Sequence, residues 1–140
     1  MKNFKAISLA TILFSLFLTS CDKDEVNSET PSEVPTLTGK WQFEKEGTIS
    51  NNVETLVTYQ HTPGCGKDFY EFKANNTGGT TFYELNCALD YDAFKFTNNG
   101  TTISITDAFE TYGLQILSLS TTELKVKETG TNDIIVLKKI

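Results

Sequence analysis

Ala93-Phe94-Lys95-Phe96-Thr97-Asn98-Asn99-Gly100-Thr101-Thr102-Ile103-Ser104-Ile105-Thr106 is the stretch that decides the fold class. Phe94 and Phe96 stand at alternate positions before a polar turn, and Ile103 and Ile105 do so after it. Successive side chains of an extended strand point to opposite faces, so this pattern reads as two half-buried strands. Asn99-Gly100 between them is the strongest short hairpin signal, because both residues tolerate positive φ.

The same unit, an alternating or apolar run followed by a turn, recurs on both sides. Lys40 to Glu46 places Trp41 and Phe43 on one face, and Val53 to Gln60 is rich in β-branched residues. Phe69 to Lys73 carries Tyr70 and Phe72 together, and Thr80 to Leu85 follows. After the central hairpin come Tyr112 to Leu119, Glu123 to Glu128 and Asp133 to Lys139. Asn75 to Gly79, Ser120 to Thr122 and Thr129 to Asn132 read as the polar turns between runs. No segment keeps a long helical period, and no repeat of 20 to 50 residues is visible. Short sequential hairpins imply that each strand pairs with its neighbour. The expectation is an all-β domain over 37–140, a small antiparallel up-and-down barrel of about eight or nine strands. Closing the sheet removes its exposed edges and leaves an interior lined by side chains.

The front of the chain has a different character. Lys2 and Lys5 precede an apolar run from Ala6 to Thr19, which is shorter than the roughly 20 residues a membrane span needs. Residues 1–20 read as a secretory signal. Leu18-Thr19-Ser20-Cys21 resembles the lipobox of bacterial lipoproteins. That resemblance implies cleavage before Cys21 and acylation of Cys21 with fatty chains such as palmitate, two or more of which hold a protein stably at a membrane. Residues 21–36 then form the lipidated Cys and an acidic tether with two prolines, too poor in apolar residues to order itself. Asp22-Lys23-Asp24-Glu25 resembles the acidic export signal of some Gram-negative lipoproteins. The location implied is the outer membrane of a Gram-negative bacterium, by a lipid anchor and with the outer surface as one possible face.

Charge narrows the partners. The chain has 12 lysines, no arginine and 18 acids, and loss of Lys2 and Lys5 with the signal shifts the net charge from −6 to −8. Phosphate binding needs a basic patch, so nucleic acid is not an expected partner.

Leu37-Thr38-Gly39-Lys40-Trp41 resembles the Gly-x-Trp opening of lipocalin-type barrels. Cys65 to Asn76, the Asn-Gly hairpin, Tyr112 to Ser118 and the Glu-Leu-Lys-Val strand follow in an order similar to the lipocalin-like domains of bacterial lipoproteins. The Thr-Asp-Tyr motif of classical lipocalins is absent, as is their C-terminal Arg over the Trp. The resemblance is therefore to the bacterial lipocalin-like group.

Candidate site residues are few in kind. Cys65 and Cys87 flank the Phe69–Leu85 hairpin, and in an exported protein such a pair is most economically a disulfide; the lipocalin-like group has a Cys pair at corresponding places. The alternative is a metal site of His61, Cys65, Cys87 and Asp68, although zinc normally takes three or four ligands at tighter spacing. Outside such a site His61 reads as a solvated loop residue beside Pro63-Gly64. Asp90 and Asp92 read as a turn, with Ca²⁺ binding as the alternative. No Gly-x-Ser-x-Gly, P-loop or His-Glu-x-x-His motif is present, so neither an enzyme nor a cofactor or metal is expected. Asn75-Asn76-Thr77 and Asn99-Gly100-Thr101 match glycosylation acceptors but read as turns.

Trp41, Phe43, Tyr70, Phe72, Tyr83, Phe94, Phe96 and Tyr112 are the expected inward aromatics. They either fill the barrel or line a pocket for a small hydrophobic or amphipathic ligand. In the second case the protein is a non-catalytic ligand binder. In the first, it is an interaction module for an envelope protein partner, an inhibitor or accessory subunit acting through loops such as His61 to Lys67 and Ala88 to Asp92.

Overall fold

The computed structural model describes residues 33–140. Cys21 and most of the tether lie outside them. Nine strands follow in order: β1 (Gly39–Ser50), β2 (Val53–Thr58), β3 (Phe69–Phe72), β4 (Thr77–Tyr83), β5 (Leu89–Asn98), β6 (Thr102–Thr106), β7 (Thr111–Leu119), β8 (Glu123–Glu128) and β9 (Asp133–Lys139). All pairings are antiparallel, from β1–β3 through β8–β9, and β1–β9 closes an eight-stranded barrel.

The neighbour-to-neighbour order holds from β3 to β9 and breaks at β2. Gly39–Gln42 of β1 pair with β3, whereas Lys45–Ser50 pair with β2. The switch falls at a bulge: Phe43 faces Leu137 and Lys45 faces Val136, so Glu44 is an extra residue. A bulge bends its strand and sharpens its twist, which carries β1 off the β3 edge. The backbone there stays satisfied, with Phe43 N–H donating to Asp68 O (3.1 Å) and Tyr59 N–H to Glu44 O (3.0 Å).

The β1–β2 hairpin turns on Asn51-Asn52, both at positive φ (50° and 62°), the pattern of a type I′ turn. A Cβ on Gly47 would lie 1.8 Å from Thr55 O, so glycine is what lets the hairpin coil so tightly. Glu54 of β2 reaches Lys125 of β8 at 2.8 Å, which places the hairpin over the outer face of β9. Ile134 and Val136, alternating with the inward Ile135 and Leu137, are buried on that outer face, apart from the interior cluster.

Inside the barrel the alternation becomes packing. Trp41, Phe72, Ile103, Ile105, Leu124 and Val126 are each at most 1% exposed. Burying a large apolar side chain stabilises by roughly 1.5–3 kcal/mol, so this end holds the fold. Leu37 lies across it, and Trp41 Nε1–H donates to Leu37 O (2.6 Å). Lys139 Nζ stands 5.3 Å from the Trp41 ring centroid, a cation over the Trp where the sequence has no arginine to supply one.

The expected Asn75–Gly79 loop is shorter than read, because Gly78 and Gly79 belong to β4. They are glycines for space: a Cβ on Gly78 would meet Glu71 O at 2.2 Å, and one on Gly79 the Tyr91 ring.

Candidate functional site

The strand ends opposite Trp41 enclose a cavity of about 280 Å³. Its walls are Tyr70 from β3, Thr80 and Phe82 from β4, Phe94 from β5, Tyr112 and Leu114 from β7, and Ile135 from β9. Four acids complete the lining: Asp92 on β5, Asp107 and Glu110 in the β6–β7 turn, and Glu128 at the end of β8. β5 pairs with β6 only from Lys95 onward, so Leu89–Phe94 have no partner on that side. An outer groove of about 490 Å³ at this gap shares Phe94 and Asp107 with the cavity.

The eight expected inward aromatics divide three ways. Tyr70, Phe94 and Tyr112 line the cavity. Trp41, Phe43, Phe72 and Phe96 are buried in the cluster that fills the barrel. Tyr83 departs from expectation and faces outward, its ring so close over Gly66 that a Cβ there would lie 2.2 Å from Tyr83 Cζ. Thr80 pairs with the inward Tyr70, so strand alternation puts Phe82, not Tyr83, on the inner face. Asp90 and Asp92 also depart from expectation, since both lie within β5, opposite Phe82 and Thr80, and not in a turn.

The gap left where β1 swings away from β3 is plugged by the β2–β3 loop. His61, expected as a solvated loop residue, is the centre of that plug, and its side chain is 7% exposed. Its Nε2 lies 2.9 Å from Phe43 O and must donate to it. Its Nδ1 accepts from Asp68 N–H at 3.0 Å. The two partners together select the neutral tautomer with its proton on Nε2. Asp68, buried, accepts from Tyr83 N–H through Oδ1 (2.8 Å) and thereby joins the loop to β4. Tyr59 stacks on Phe43 with centroids 4.9 Å apart. Burial first, and then Asp68, push the Tyr59 phenol up to about 12.

Cys65 and Cys87 form a disulfide with Cα atoms 5.1 Å apart, so neither thiol is free to hold a metal. The bond fastens the plug to the 3-10 turn after β4. The sequence offered His61 and Asp68 only as ligands of an alternative metal site and Asp92 only as a turn or Ca²⁺ residue, while Asp107, Glu110 and Glu128 carried no local motif.

Electrostatically the cavity is one-signed. Burial pushes the Tyr70 phenol far up, and the neighbouring Tyr112 adds to it. Tyr112 is also raised, mainly by burial, with the Tyr70 hydroxyl opposing and Asp107, Glu110 and Glu128 adding to it. Asp107 is held low because its carboxylate accepts from Glu110 N–H and Phe109 N–H, both through Oδ1 (2.9 and 2.7 Å).

Residues 37–126 match the family described as the lipocalin-like domain. Among solved structures, a lipocalin-like protein from Bacteroides uniformis ATCC 8492 matches with a TM-score of 0.59 at 16% identity, over 74% of this chain and 98% of its own. An uncharacterized protein from Bacteroides eggerthii DSM 20697 matches with a TM-score of 0.56 at 11% identity, over 75% of this chain and 100% of its own. No curated protein matches the chain.

Proposed function

The chain belongs to the lipocalin-like domain family, and on that footing we propose that it is a non-catalytic binder of a small hydrophobic or amphipathic molecule, lipid-anchored through Cys21 at a bacterial outer membrane. One observation carries the ligand reading: the filled barrel gives way at one end to the cavity of about 280 Å³ with aromatic walls. Ligand sites are concave and mostly apolar with a few convergent polar groups, and they commonly measure about 300–1,000 Å³. At about 280 Å³ this cavity falls just below that range, so it suits a compact aryl or short alkyl amphiphile and not a long acyl chain.

Titration of the full chain with the neutral probe 4-phenylbutanol tests the reading. Saturable one-site binding is expected, and Leu114→Phe, which fills the cavity, should abolish it. Absence of saturable binding by any small amphiphile, with no co-purified ligand, would overturn the proposal. The anchor rests on Leu18-Thr19-Ser20-Cys21 and has its own test: metabolic labelling with an alkynyl fatty acid should tag the protein and leave Cys21→Ser unlabelled.

A protein partner is a second reading, supported by Phe109, which is 91% exposed at the tip of the β6–β7 turn. Leu89 and Tyr91 stand exposed on β5 as well. Cross-linking in intact cells from a photoreactive residue at position 109 should then give one dominant adduct; a scatter of weak ones would end this reading.

A further inference from the structure

We propose that the cavity takes an organic cation, a small molecule with an apolar, preferably aromatic, body and a protonated amine or quaternary ammonium. The proposal rests on reading the cavity as a ligand site and adds the charge of its occupant.

The barrel mouth presents Asp92, Asp107, Glu110 and Glu128 from three separate parts of the chain, and no Lys, Arg or His shares the lining. The ion pairs among the described residues are Lys73–Glu71 and Lys125–Glu54, and the neutral His61 lies against Asp68, so none of the four acids of the mouth is neutralised in one. Asp107 spends Oδ1 on its own turn and keeps Oδ2 free. The rings of Tyr70, Phe82, Phe94 and Tyr112 share the lining with these carboxylates, Tyr70 standing level with Asp92 across Thr80.

This charge is the reverse of a fatty-acid site, where a cation at the mouth would meet a carboxylate. Like charges at the rim of a low-dielectric cleft focus a negative field into it, drawing in cations and repelling anions. Aromatic rings in the same lining add attraction for an ammonium group through their quadrupoles. One carboxylate about 6 Å from a bound charge, at an effective dielectric near 20, favours a cation by well over tenfold before salt screening. The lateral groove beside β5 is lined by Lys73 and Lys95 as well as Asp107, so the acid-lined mouth and not this groove is the way in for a cation.

The test is a matched series on the full chain by calorimetry: 4-phenylbutylamine, 4-phenylbutanol and 4-phenylbutyrate, which share a body and differ in charge. The amine should bind at least tenfold tighter than the alcohol, and the butyrate more weakly than either. Raising NaCl from about 50 mM to 0.5 M should shrink the amine's advantage, because the mouth is solvent-facing. In Asp92→Asn/Glu128→Gln the amine-to-alcohol ratio should fall at least threefold, with folding checked by circular dichroism. Equal binding of all three probes, or preference for the butyrate, overturns the cation proposal and leaves the ligand site standing. No binding of any probe overturns both. Binding of Ca²⁺ alone, with the amine inert, also overturns it, since the acids would then serve a metal.

Discussion

The two ends of the barrel are built from the same strands and do opposite things. At the closed end Trp41, Phe72, Ile103 and Leu124 are at most 1% exposed, Leu37 caps them, and Lys139 lies over the Trp ring. A few residues further along those strands or their neighbours, the open end carries Asp92, Asp107, Glu110 and Glu128 around a cavity. Apolar packing holds the first end. The second is held by a hydrogen-bonded plug, His61 with Asp68 and Phe43 O, and by the Cys65–Cys87 bond. Stability and binding are thus separated along one barrel axis, so charge can gather at the mouth without sitting in the core.

The largest expected effect strikes the closed end. Trp41→Ala removes the biggest fully buried side chain and should destabilise the domain by about 3–5 kcal/mol in urea unfolding. Tyr112→Ala, at the open end, removes a half-buried ring already beside a cavity and should lose far less. Equal losses from the two variants would break the contrast between the ends.

The plug comes next. Replacing both Cys65 and Cys87 by Ser opens a loop with a sequence separation of 22. That should lower stability by about 3 kcal/mol in the chain-entropy account. His61→Ala should show how much of the plug's hold is hydrogen bonding. It leaves Phe43 O and Asp68 N–H without their partners, a loss of about 1–3 kcal/mol. If the double-Ser variant bound 4-phenylbutanol as tightly as before, the plug would have no part in shaping the mouth.

Alkaline pH separates the ends by another route. Folding raises the phenols of Tyr59, to about 12, and of Tyr70 beyond that. An unfolded tyrosine loses its proton near pH 10, so this contribution is complete below pH 10 and declines as pH rises through 12. For the buried Tyr70, a proton held only by the folded state costs about 1.4 kcal/mol of stability per pH unit in that window, and the partly exposed Tyr59 adds less because solvent screens it. Tyr70→Phe should flatten the decline measured between pH 10 and 12; an unchanged slope would deny that Tyr70 is shielded at the cavity wall.

What the sequence made legible follows the same division. Nine alternating or apolar runs could be read, with Phe94, Phe96, Ile103 and Ile105 showing their faces directly, but the Leu89–Asp92 part of β5 was legible only as a loop and turn. β2's departure could not be, because the Glu44 bulge that causes it depends on register against β9. Asn99-Gly100 drew attention as the hairpin, yet there Gly100 alone takes positive φ, and the two-residue turn with both residues positive is Asn51-Asn52. Phe82 and Tyr83 are adjacent, so either could have been the inward ring until the pairing with β3 fixed the parity. The acids of the mouth lie on different strands and turns, and only barrel closure brings them together. His61 looked solvated because its partners, Phe43 O and Asp68, come from the bulge and from the far end of its own loop.

The smallest expected effect bears most directly on why the ends differ. Four carboxylates without ion-pair partners repel one another, so the open end gives up some stability to hold a field. Glu128→Gln should therefore raise unfolding stability slightly at low salt, by under about 0.5 kcal/mol, while weakening amine binding. The gain should fade as NaCl rises, because it is repulsion being relieved and not packing being improved. A stabilisation that persisted at 0.5 M NaCl would mean that Glu128 is misplaced for packing reasons. A loss of stability would mean that its charge is already compensated in solution, and the opposition between a stable closed end and a charged open one would then fail at this residue.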